Sequence, residues 1–146
     1  MGHWGVKSDE NDAAADALDA GFARVHRALY DELMDDRSPL TFDQVQQRLA
    51  NAETLGAALD ALAEEVSKPF ERWDDAERLA YAGVVVRHAA LGVAAPESVR
   101  LRALDCLERE AIDWEEATLR RLTRDREIAL LRGMEASDSN RSKQDG

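Results

Sequence analysis

Aromatic side chains make up only 5% of this 146-residue sequence, and β-branched runs are scarce, so little is present that could cover a pleated sheet. Cys106 is the single cysteine, which excludes an intrachain disulfide and a cysteine-cluster zinc site. No apolar run is long enough to span a bilayer. Phosphate-binding loops of the Walker type, dinucleotide fingerprints, serine elbows and calcium loops are all missing. The N-terminus turns polar within a few residues, which argues against a signal peptide and predicts a cytoplasmic protein. Prolines are few as well: Pro39, Pro69 and Pro96 fall only between periodic segments, where they act as punctuation.

What is present is alanine and leucine, which carry most of a 45% hydrophobic content. Strong helix formers at that density favour packed helices. The chain is long enough to bury a real core within one domain. The expected fold class is therefore all-α: a compact single-domain bundle of about six helices with an ordered N-terminal segment. Residues 1–136 form the expected domain, and 137–146, which lack any apolar anchor, form a disordered tail.

Charge is unevenly distributed. Residues 1–75 hold 17 acids against 7 bases, whereas residues 76–146 hold 13 against 12. An acidic half disfavours nucleic acid and anionic membranes as partners, and suits a solvated surface, docking on a basic protein or imitation of a nucleic acid. The arginines of the last helix, Arg120, Arg121, Arg124, Arg126 and Arg132, are interleaved with acids. They read as a charge-laced outer face, with Glu116–Arg120 and Arg121–Asp125 as neighbouring pairs.

Periodicity places the first helix from Asn11 or Asp12 to Asp35-Asp36, with Leu18, Phe22, Val25, Leu29 and Leu33 as one continuous apolar stripe. Thr41-Phe42-Asp43-Gln44 matches a capping box opening a short helix to about Ala50. A further helix spans about Glu53 to Val66, with Leu55, Leu59 and Leu62 inward. Asp74 with Glu77 caps the next, from about Asp75 to Leu91, whose two apolar stripes predict a helix sandwiched between neighbours. Gly92 reads as its C-terminal cap. From Pro96 an apolar face runs through Val99, Ala103, Leu104, Leu107 and Ala111, and the helix is expected to continue past a kink near Ile112-Asp113 to about Met134.

The opening residues carry the most distinctive pattern: Met1-Gly2-His3-Trp4-Gly5, a short polar stretch, then Asn11-Asp12. Gly2 and Gly5 would let the backbone pass close to the core, Trp4 would bury its ring there, and Asn11 or Asp12 would cap the helix. These five residues, Gly2, Trp4, Gly5, Asn11 and Asp12, are the expected structural anchor. The segment resembles an uncharacterised bacterial family of unknown function whose members open Met-Gly-x-Trp-Gly and reach an Asn-Asp pair several residues later. The resemblance covers about twenty residues, and it implies neither an activity nor a ligand.

No convergent chemistry is legible. His3, His26 and His88 show no metal-ligand spacing, and His88, on an apolar face, reads as a satisfied core histidine. Adjacent carboxylates such as Asp35-Asp36, Asp74-Asp75 and Glu115-Glu116 point in different directions on a helix and do not make an acid–base pair. No catalytic residue, metal ligand or cofactor is therefore assigned. The expected function is a non-catalytic interaction or regulatory protein, immunity-like in its charge, with a basic protein as partner. Self-association is a variant of that reading if the last helix exposes Leu119, Leu122, Leu130 and Met134. The competing class is a small hydrolase or metal-dependent enzyme drawing on His26, His88, Asp12 and Glu77.

Overall fold

The computed structural model describes residues 12–35, 37–110 and 120–133. Six helices are bounded within them: α1 (Asp12–His26), α2 (Ala28–Met34), α3 (Phe42–Leu49), α4 (Ala52–Val66), α5 (Asp75–Ala90) and α6 (Glu97–Glu108). A 3-10 turn, Phe70–Arg72, precedes α5, and residues 120–133 are helical and are termed α7. No strand occurs among the described residues. The chain is an all-α bundle. Gly2, Trp4, Gly5 and Asn11 lie outside the described residues, as does the tail 137–146; Asp12 opens α1, its side chain undescribed.

Local chemistry fixes the helix starts. Thr41 accepts from the Gln44 amide while the Gln44 side chain accepts from the Thr41 amide, and Asp74 with Glu77 repeats the arrangement at α5. Asn51 with Thr54 forms a third such box, one that the sequence reading did not single out. At the end of α5, Gly92 takes φ +86. Val93 and Gly92 donate to the carbonyls of His88 and Ala89, at 2.8 and 3.0 Å, closing the helix with a left-handed glycine.

The central position of α5 follows from its two apolar stripes. Ala80 through Val86 are buried without interruption, and α5 packs against α1, α4 and α6. The most extensive helix pair is α1 with α4. It is also very close: a Cβ added at Gly21 would lie 2.6 Å from the Ala58 backbone nitrogen. Only glycine admits that approach.

Two expectations are corrected. The first apolar stripe is not one helix, because the chain bends at Arg27, which takes φ 51 and ψ −119 and separates α1 from α2. The bend turns Tyr30 inward, 3% exposed, and leaves Leu29 46% exposed. Tyr30 stacks on Phe22 with ring centroids 5.9 Å apart and donates its hydroxyl to Asp19 at 2.5 Å. A regular repeat of apolar residues does not register a one-residue break, so the sequence pattern ran through it.

The second correction concerns the C-terminal half. Helix α6 ends at Glu108, the expected kink near Ile112-Asp113 lies outside the described residues, and Arg120 is not on a solvent face. It is 1% exposed. Its Nε and Nη2 donate to the two carboxylate oxygens of Glu110 at 2.9 and 2.6 Å, and Nη1 donates to Glu127 at 2.9 Å. Burial works against the guanidinium charge, but the carboxylates of Glu110 and Glu127 more than offset it and raise the Arg120 pKa. This bidentate pair joins the chain just beyond α6 to α7, whose Leu131 is fully buried.

Candidate functional site

The conspicuous titratable side chains are spoken for by the fold. His88 is fully buried between α5 and α4. Its Nδ1 lies 3.0 Å from the Val84 carbonyl and its Nε2 2.9 Å from the Thr54 hydroxyl. A carbonyl requires a donor, so Nδ1 carries the proton. The Thr54 hydroxyl faces both Nε2 and the Asn51 carbonyl, the latter at 2.8 Å, and its single proton serves one contact at a time. The ring stacks on Phe22 at 5.8 Å, and burial lowers its pKa below the ordinary histidine value. The expected core histidine is what the structure contains. His26 instead closes the gap between α1 and α3, its Nε2 lying 2.7 Å from the Leu49 carbonyl.

Cys106 is buried, and desolvation, assisted by Asp105, pushes its thiol up to about 11. It is therefore a neutral thiol near pH 7 and a poor nucleophile. Glu77 serves the α5 cap and pairs with Lys68 at 2.9 Å; the Asp74 amide, then Lys68, holds its carboxyl below the usual range. Glu77 and His88 sit near opposite ends of α5, roughly 16 Å apart along the axis. They do not form a joint site. Among the described residues, no three His, Cys, Asp or Glu side chains gather in a way that could hold a metal ion.

Three aromatic residues of the same core group around the loop into α5. Phe70, Trp73 and Tyr81 pack with centroids 5.1 to 6.3 Å apart. The Arg102 guanidinium lies 4.2 Å above Phe70, and Arg78 donates to the carbonyls of Phe70, Glu71 and Trp73. Arg78 thereby satisfies the loop that leads into α5.

The feature with the character of a binding surface lies on the far side of α1. Between α1 and α4 runs a groove of about 400 Å³. Ala13, Ala17 and Ala20, spaced four and three residues apart on one face of α1, form its floor with Ala61 and Leu62 of α4. Asp16 and Glu65 stand on its rim, and both are exposed. Arg24 lines one end, where it pairs with Glu64 at 2.6 Å. Among the described residues the remaining rim charge is therefore negative. The small floor is a direct result of composition: alanines where a leucine would fill the space leave a trough beside the closely packed helices. The sequence signal was the alanine spacing at 13, 17 and 20, which is overshadowed by the larger residues of the Leu18–Phe22 stripe.

No helix among the described residues is long and apolar enough to cross a membrane. Comparison with known proteins finds no matching family model, no matching curated protein and no matching solved structure.

Proposed function

We propose that this chain is a non-catalytic interaction protein whose α1–α4 face receives a basic segment of a partner protein. The observation that carries this reading is the groove itself: an apolar alanine floor beneath the exposed carboxylates of Asp16 and Glu65. An apolar trough supplies contact area, and carboxylates above it select cations and speed encounter. Further exposed acids on the same two helices, Asp19 and Asp60, extend the negative field beyond the rim. The same field disfavours nucleic acid and anionic membranes. The N-terminal resemblance carries no activity to transfer, so the proposal rests on this surface alone.

The test uses a lysine- and leucine-rich amphipathic helical peptide as probe, with binding followed by fluorescence anisotropy. Reversing Asp16 and Glu65 to lysine should weaken binding by about a hundredfold, at about tenfold per charge contact. Reversing Asp31 and Glu32, two exposed acids on α2, should have a much smaller effect. Equal losses from both double variants would mean that the protein attracts cations by net charge alone, and the groove would lose its role.

A further inference from the structure

The inference that follows rests on the groove being a docking surface and names its occupant. We infer that the α1–α4 groove of one copy takes α7 of a second copy of this chain.

The exposed face of α7 complements the groove in both charge and shape. Leu122 and Leu130 are 56% and 38% exposed, although neighbouring Leu131 is fully buried. Arg126 falls between them at four-residue spacing, so Leu122, Arg126 and Leu130 line up along one row of the helix. The row measures about 12 Å between its leucines, and the alanine floor from Ala13 to Ala20 measures about 10 Å. Arg121, Arg126 and Arg132 are exposed on α7 against one exposed acid, Asp125. Arg132 already pairs with Glu108 at 2.6 Å. The apolar row of one helix thus matches the apolar trough of the other pair, and the arginine in its middle matches the Asp16 and Glu65 rim.

The contact has to be between copies. Helix α7 contributes nothing to the lining of the groove in its own chain. It is held elsewhere, through buried Leu131 and the Arg120 pairing with Glu110 and Glu127. Every copy carries one groove and one α7, so each can give and receive the contact; a head-to-tail arrangement that does not close extends to larger species.

Sedimentation equilibrium of the full chain tests the arrangement. At about 0.15 M salt, where the repulsion between two chains of net charge −11 is screened, the protein should self-associate as its concentration rises. Arg126→Glu and Glu65→Arg should each weaken the association about tenfold per contact. Mixing those two variants should restore it, since each then finds an oppositely charged mate at both contacts. Leu122→Ser, an exposed change that leaves the fold intact by circular dichroism, should also weaken it. A chain that stays monomeric at every salt and concentration overturns self-docking, and if the probe peptide still binds the groove, the partner reading survives alone. An association indifferent to Arg126→Glu and Glu65→Arg forms through another face, and that result also overturns the inference.

Discussion

His88 is the side chain whose environment speaks most directly to solution behaviour. The folded protein holds it neutral, with Nδ1 donating to Val84, Nε2 beside the Thr54 hydroxyl and its pKa lowered by burial. The unfolded chain protonates the same ring near pH 6.5. Between these two pKa values the unfolded state binds the additional proton, so stability is full above about 6.5 and falls as pH drops toward the folded value. Urea melts of the wild type should therefore show lower stability at pH 5 than at pH 7.5. His88→Gln should flatten that slope while lowering stability at both pH values. A slope that is unchanged in the variant would assign it to carboxylates elsewhere.

At the scale of elements, the α1–α4 pair is set by a missing methyl. Gly21→Ala gains roughly 1 kcal/mol of helix propensity. It also drives a Cβ to 2.6 Å from the Ala58 nitrogen, a backbone atom that cannot rotate away. Overpacking of this kind costs about 1–3 kcal/mol, so thermal melts should show net destabilisation. An unchanged or higher melting temperature would show that the helices separate without penalty. Elements were legible in the sequence where one local pattern sufficed. The capping boxes at Thr41 and Asp74, the sandwiched α5 and the glycine after it were all visible in short windows. The bend at Arg27 was not, because an arginine carries no local signature of positive φ and the stripe from Leu18 to Leu33 keeps its period across it.

The whole molecule adds what no window contains. Arg120 looked like one of several arginines on a solvated face; it is buried between Glu127, two turns along its own helix, and Glu110, just beyond α6. Truncating it removes the cation that the two buried carboxylates share. Arg120→Ala should cost about 3–5 kcal/mol, measured by urea denaturation. Arg126→Ala, an exposed change on the same helix, should cost under about 0.5 kcal/mol. Similar costs for the two would remove the distinction between them. The candidate groove was hidden for a related reason: alanine spacing is visible in one helix, but a trough exists only when α4 is laid beside it.

The bend at Arg27 also leaves α2 dependent on very little. Seven residues are too few for a helix to persist unaided in water, and the left-handed arginine at its start stores roughly 1–3 kcal/mol of strain. Its one buried side chain is a phenol ring, wedged against Phe22 with its hydroxyl on Asp19, while Leu33 and the packing on α3 add the rest. Withdraw that ring and residues 28–34 could unravel as a unit while the helices beneath them stayed assembled.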